Sequence, residues 1–227
     1  MFGFLVKKAF FDMWDNLFRI LIMNLGYIAI LAIFILLAPL FVSVPVLFVA
    51  TILFGVALFA AYTGGVSRMC AEIADYHQPG FLDFFRFVKE GLPSSLLFAL
   101  AVGVYGLVVV NAFRFYGGMQ SIVGPLAFAL LFWVTVAAGL AAQFFFPIQS
   151  RLDRKFRKIT RKSFLVFFDN AGFSIGLFIC ALIVFIGSLF IALLLPGLAT
   201  IVLWWNVAFK LRLYKYDWLE QNPGQNR

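Results

Sequence analysis

Charge is scarce in this chain: Asp, Glu, Lys and Arg together supply 12% of 227 residues, about half their share in a soluble domain. There is a single histidine, His77, beside Gln78 and Pro79. Without a second histidine or a cysteine pair it excludes the usual zinc spacings and reads as a solvated turn residue. HExxH and Gly-rich phosphate loops are absent, and neither Ser67 nor Ser163 has a His/Asp partner to activate it. The expectation is a protein that is not an enzyme and holds no metal or cofactor. The two cysteines, Cys70 and Cys180, show no framework spacing, so each is expected to pack rather than to form a disulfide. The most telling gap is that no Asp, Glu, Lys, Arg or His stands in the middle of a long apolar run. Proton relays, voltage sensors and pumps for charged substrates need such a residue, so these classes are disfavoured.

What the chain has instead is apolar bulk: 64% hydrophobic residues, 31 Phe and a mean hydropathy of +1.01. A soluble core of this size could not hide so many rings, whereas a bilayer accepts them facing outward. The net charge of +8 would suit nucleic acid in a soluble protein. In a polytopic membrane protein it follows from Lys and Arg collecting in cytoplasmic connections, so no nucleic-acid partner is expected. Asp12 and Asp15 follow the first apolar residues, and the run after Arg19 is too long for a signal peptide; the N-terminus is read as retained.

Apolar runs predict a first span over residues 20–42 and a second over 46–66, joined by a tight turn marked by Pro39 and Pro45. The second helix is expected to continue into water, where Arg68 and Glu72 meet four residues apart. A third span is read over 92–113, with Pro93 in its first turn, and a fourth over 122–146, stopping at Pro147. The fifth starts near Ala171. The turn before the sixth falls at Gly187-Ser188 or at Pro196-Gly197, which leaves a short or kinked last span. Lys210 and Arg212 are expected to snorkel to the headgroups, with Trp204, Trp205 and Trp218 at the interface. This arrangement puts every Lys and Arg except Arg114 on one side, so both termini are placed in the cytoplasm.

Aromatic amphipathic segments precede the spans: FFDMWDN (residues 10–16), FFRFVKEG (84–91) and FLVFFDN (164–170). Their ends recur 75 and 79 residues apart. The whole therefore reads as one all-α membrane domain over 1–227: six transmembrane helices in three hairpins, each preceded by an amphipathic surface helix. The hairpins form a pseudo-threefold internal repeat with units near 4–78, 79–150 and 161–220. Asp15, Glu90 and Asp169 close the three segments and serve either as helix caps or as a carboxylate ring at a central mouth. Asn24, Thr63, Gln143 and Asn206 share a depth inside the spans. They are expected to hydrogen-bond between helices or to line a small polar pocket.

Residues 151–162 (RLDRKFRKITRK) hold seven cations and one acid, and residues 151–160 form the basic cytoplasmic connection. Arg151, Arg154, Lys155, Arg157, Lys158, Arg161 and Lys162 fix the topology and are candidates to contact anionic lipid headgroups or an acidic partner. Leu152, Phe156 and Ile159 fall on one helical face, as in a segment lying on the bilayer.

Residues 10–28 (FFDMWDNLFRILIMNLGYI), 81–100 (FLDFFRFVKEGLPSSLLFAL), 167–178 (FFDNAGFSIGLF) and 194–205 (LLPGLATIVLWW) together resemble the YesL-like family of small bacterial membrane proteins. The resemblance implies a bacterial inner-membrane location and an accessory role in carbohydrate uptake beside a sugar-uptake transporter. It supplies no site residues. The rival expectation is a small uncharged-solute transporter or channel along the pseudo-threefold axis.

Overall fold

A computed structural model describes residues 2–221, and among these every regular element is helical. Arg227, counted above with the cytoplasmic cations, lies outside the described residues. In chain order the helices are α1 (Phe2–Asp15), α2 (Leu17–Leu37), α3 (Pro45–Ala74), α4 (Phe81–Gly117), α5 (Val123–Ala142), α6 (Phe145–Arg151), α7 (Phe156–Asp169), α8 (Ala171–Leu189) and α9 (Gly197–Gln221). Five segments are long and apolar enough to cross a membrane: Leu17–Phe41, Pro45–Ala74, Phe81–Gly117, Val123–Arg151 and Ala171–Leu189. Ile35, Leu36, Leu107, Leu130 and Ile183 are among the large side chains they turn outward. Water does not tolerate an apolar band of that extent, whereas lipid does. The chain is built as a multi-pass membrane protein.

The amphipathic segments separate from the apolar helices only where an asparagine breaks the backbone. Asn16 leaves helical geometry between α1 and α2, its Nδ2 donating to the Asp12 carbonyl at 3.0 Å while its Oδ1 accepts from Arg19 at 2.8 Å. Asn170 does the same between α7 and α8, donating to the Tyr216 hydroxyl at 3.1 Å. At the third such position, Gly91, there is no break. α4 runs through it as one 37-residue helix with Pro93 inside, not in a first turn. Tertiary contacts explain the continuity. Gly65 of α3 gives room to Val88 and Phe84, since a Cβ there would lie 2.4 Å from Val88 Cγ2. Gln149 Nε2 donates to the Gly91 carbonyl at 2.8 Å, and Ser94 donates to the Arg154 carbonyl. Small residues that let two helices meet closely replace the hydrophobic drive that lipid cannot supply.

The fourth apolar run also differs from its expected end. The helix breaks at Gln143-Phe144, and Pro147 sits in the first turn of α6, where a missing N–H costs nothing. Phe145 and Ile148 of this short helix, and Phe144 just before it, are fully buried.

The last helix departs furthest from a plain span. α8 ends at Leu189 and α9 begins at Gly197, so the connection over 190–196 agrees with the turn expected at Pro196-Gly197, whereas Gly187-Ser188 lies inside α8. Gly197 has φ +71° and lies against Asn24, with an added Cβ falling 2.4 Å from the amide carbon. Asn24 Nδ2 donates to the carbonyls of Leu194 and Pro196 at 2.8 Å each, and its Oδ1 accepts from the Ala199 N–H at 2.8 Å. A side chain of α2 thus supplies the N-terminal cap that α9 lacks in its own sequence. Asn24 stands seven residues, or roughly 10 Å of helical rise, inside α2, so α9 starts within the bundle rather than at its far surface.

From there α9 forms the core, touched by α1, α2, α3, α6 and α8. Ala199, Leu203, Asn206, Val207, Ala208 and Phe209 have 0% exposure. Its polar residues rule it out as a lipid-facing span, and surrounding helices shield them. Lys210 and Arg212 do not snorkel; both are buried, with Arg212 lying 3.9 Å over the Phe173 ring. Trp204 and Trp205 pack against the core instead of marking an interface, while Trp218 is exposed.

Replacing Asn24 by Leu removes three hydrogen bonds and leaves the two carbonyls and the Ala199 N–H buried. Thermal unfolding in mild detergent is expected to show a loss of about 2–3 kcal/mol, with protease cutting first appearing at residues 190–196.

Candidate functional site

Each of the four polar residues expected at one depth bonds to a neighbouring helix, and they share no pocket, although Gln143 Oε1 and Asn206 Oδ1 stay buried without a hydrogen-bond partner. Asn24 holds the start of α9, as above. Thr63 Oγ1 accepts from the Tyr27 hydroxyl at 3.1 Å and donates to the Phe59 carbonyl at 2.7 Å, tying α3 to α2. Gln143 Nε2 donates to the Ser174 carbonyl at 3.0 Å, tying the end of α5 to α8. Asn206 Nδ2 donates to Ser67 Oγ at 3.0 Å, and Ser67 also bonds Ser150 Oγ at 3.0 Å, so α9, α3 and α6 meet in one buried chain. None of the four exceeds 4% exposure. Ser67 is fully buried among a serine and an amide, neither of which is a base.

The three carboxylates do not cap. No side chain bonds the first turn of α2 or α8, and Glu90 lies inside α4. Asp15 is exposed, Glu90 pairs with Arg154 at 2.9 Å, and Asp169 accepts from the Tyr216 hydroxyl at 2.7 Å. Among the described residues no contact joins the three into a ring.

Folding sorts the basic stretch into two groups. Arg151 pairs with Asp75 at 2.6 Å and donates to the Ala71 carbonyl at 3.0 Å; Arg154 holds Glu90; Lys162 holds Asp153 at 2.7 Å. Lys155, Arg157, Lys158 and Arg161 are exposed and make no salt bridge among the described residues. The face proposed for Leu152, Phe156 and Ile159 is not continuous. Leu152 precedes the non-helical residues 153–155 and is exposed, while Ile159 is fully buried in α7.

The centre that sequence reasoning missed is Asp75, just past α3. Its two carboxylate oxygens take Arg151 at 2.6 Å and Lys210 at 2.8 Å, and Lys210 also donates to the Ala74 carbonyl at 2.7 Å. Lys8 lies 4.1 Å over the adjoining Tyr76 ring and pairs with Asp12 at 2.8 Å, joining α1 to the same cluster. No local signal could have paired residues 75, 151 and 210; only the position of Lys210 midway along α9, directly after the apolar stretch Val207–Phe209, hinted at a buried partner. Beside this cluster a polar cleft opens between α3 and α4, lined by Arg68, Glu72, His77, Asp83, Arg86 and Glu90, with a volume of about 400 Å3. Arg68 pairs with Glu72 at 2.9 Å as expected, and His77 with Glu72 at 2.8 Å. Among the described residues no group of acids, histidines and cysteines is arranged to hold a metal ion.

No protein-family model, curated protein or solved structure matches the chain. The site therefore stands on its own geometry.

Burial alone would raise the Asp75 carboxyl, but hydrogen bonds from Lys210 and Arg151 hold it below the usual value of 3.8. A lowered carboxylate contributes its stability fully above the ordinary value and loses it as pH falls through the lower, folded one. Unfolding of the native chain should therefore be insensitive to this group from neutral pH down to its ordinary value. Asp75→Asn strands two buried cations. Because Asp75 is itself about one-third exposed, with 31% of its side chain accessible, the expected cost is about 2–3 kcal/mol at pH 7. The difference from wild type should shrink only below the ordinary carboxylate range, as followed by detergent-phase melting against pH.

Proposed function

We propose that the chain is a non-catalytic polytopic membrane protein that works through contacts made at its charged end, as an accessory component of carbohydrate uptake in a bacterial cytoplasmic membrane. In this reading α9 is a shortened sixth span, and both termini and the basic connection lie in the cytoplasm. The helices descend from three copies of one surface-helix-plus-hairpin unit, the second of which has fused its two helices across Gly91. The observation that carries the reading is the engagement of Asn24, Thr63, Gln143 and Asn206 within helix-to-helix bonds at no more than 4% exposure. A solute path needs polar groups turned toward a lumen, whereas each of these four bonds to a neighbouring helix, with Gln143 Oε1 and Asn206 Oδ1 alone among their polar atoms left without a partner. The link to carbohydrate uptake draws on the YesL-like resemblance alone, and a sugar-uptake transporter is the partner it suggests.

One feature favours the rival reading, an uncharged-solute transporter. The cleft at the charged end continues inward to Gly64, Gln149 and Ser150. Beyond it, Ser67 and Asn206 are sealed at 0% exposure.

Two measurements test the proposal. Cysteine introduced for Lys158 should react with a membrane-impermeant maleimide only in inside-out vesicles, and cysteine introduced for Arg114 only in right-side-out cells; the reverse pattern overturns the topology. A photo-crosslinker at exposed Gln78 should capture a transporter subunit in native membranes. Flux of an uncharged sugar into vesicles holding the purified chain alone, abolished by Asn206→Leu, would establish the rival.

A further inference from the structure

An apolar groove of about 500 Å3 lies between α4, α5 and α7. Its walls are Phe98, Val102 and Tyr105 of α4, Val134 and Ala138 of α5, and the face of α7 bearing Thr160 and Phe164. The volume falls within the roughly 300–1,000 Å3 of small-molecule sites. From Phe98 to Tyr105 the groove follows α4 for roughly 10 Å at the helical rise, running from the charged end toward the middle of the membrane layer.

Two observations on α7 identify what fits. The first is Thr160. Thr51, Thr63, Thr135 and Thr200 each return the hydroxyl to the carbonyl four residues earlier, the usual way a helical threonine is satisfied. Thr160 does not: its Oγ1 is buried in the groove wall with no hydrogen-bond partner. A buried hydroxyl left in this state is costly unless something that enters the groove accepts from it. The second is charge. Arg157 and Arg161 are exposed, carry no carboxylate partner among the described residues, and stand one helical turn apart. At spacings of four, seven and eleven residues, Arg157, Arg161, Phe164 and Phe168 form one strip of α7, with the arginines at its start and two groove-lining rings at its end.

We propose that this groove is a binding site for an anionic glycerophospholipid. One acyl chain occupies the apolar channel between α4 and α5, an ester carbonyl accepts from Thr160, and the phosphate lies against Arg157 and Arg161. Apolar walls fix a tail, the hydroxyl meets the ester carbonyl at that tail's head, and paired guanidinium groups meet the anion. The same strip explains why these cations differ from Arg151, Arg154 and Lys162, which the fold consumes in its own ion pairs. The site rests on the membrane placement argued above, and not on the accessory role.

The test uses the full chain in bilayers of phosphatidylcholine containing a small fraction of phosphatidylglycerol whose acyl chain carries a photoreactive diazirine. Adducts should map by peptide mass spectrometry to residues 98–105 and 134–145, and a phosphatidylcholine probe should label them far less. Arg157→Ala with Arg161→Ala should cut the preference for phosphatidylglycerol by roughly thirtyfold, two side chains' worth of attraction to an anionic surface. Ala138→Trp should block labelling in the groove. Thr160→Val, nearly isosteric, should weaken labelling without lowering the melting temperature. Equal labelling by both probes, or adducts unchanged in the arginine and tryptophan variants while the proteins melt as wild type does, would overturn the site. Lipid selectivity is read without any transporter present, so its loss is distinguishable from failure of the crosslink at Gln78.

Discussion

A polar group surrounded by hydrocarbon has no water to fall back on, and that constraint organises this molecule around α9. The helix carries Asn206, Lys210 and Arg212 within a segment that must lie beside apolar spans. Each makes a polar or cation-π contact in the protein, Asn206 with Ser67, Lys210 with Asp75 and Arg212 over the Phe173 ring, although Asn206 Oδ1 and Arg212 Nε have no hydrogen-bond partner. Such partners exist only if other helices surround α9, so the arrangement of α1, α2, α3, α6 and α8 follows from the need to sheathe it. Even its first turn depends on a neighbour, because Asn24 supplies the cap that Gly197 and Leu198 cannot. A helix so placed need not reach the far surface, and this one starts at the depth of Asn24.

The charged end closes the bundle by sharing one carboxylate between two cations. Asp75 lies where α3 leaves the apolar layer, and Arg151 and Lys210 reach it from helices far away in sequence, 76 positions in the case of Arg151. Partial burial strengthens these attractions and makes any unpaired member costly. Gly64 and Gly65 act on the same junction by steric means, bringing α4 close enough that Gln149 spans from α6 to the Gly91 carbonyl. Electrostatic and steric closure at one end leaves the opposite ends of α4 and α5 with few partners, and there most side chains face lipid.

How much of this was legible in the sequence varies with whether local or distant chemistry decides. Asn16 and Asn170 separate helices, Pro45 opens α3 and the Pro79-Gly80 pair directly precedes α4, each through its own backbone preferences. Gly91-Pro93 and Pro147 carry the same local signals and mislead, because packing on Gly65 and the Gln149 bond hold α4 continuous and because α6 begins two residues before its proline. Lys210 and Arg212 looked like headgroup anchors since nothing nearby in sequence offers them a partner. The interhelical bonding of Asn24, Thr63, Gln143 and Asn206 was legible as a class, from the cost of an orphan amide in lipid, while the identity of each partner was not. The carboxylates at 15, 90 and 169 had the right chemistry for caps but the wrong geometry once Tyr216 and Arg154 came within reach.

The basic stretch shows why a compositional rule and a structural one have to be applied in turn. Retention of Lys and Arg on one side acts on the chain as it inserts, and it counts charges irrespective of what they later touch. In the proposed topology all seven cations of residues 151–162 serve that purpose equally. Folding then distinguishes them: a guanidinium that ends beside Asp75 or Glu90 has its counter-charge inside the protein, whereas Arg157 and Arg161 do not. Topology alone gives no reason for that division, nor for placing the unpaired arginines on the strip that ends in Phe164 and Phe168 at the groove. An amphipathic helix that needed only to lie on the bilayer would turn its rings to lipid and its cations to water. Here part of the apolar face of α7 is buried against the bundle and part walls an apolar channel, with an unsatisfied hydroxyl between the rings and the charges. That combination distinguishes a built lipid site from a merely cationic surface.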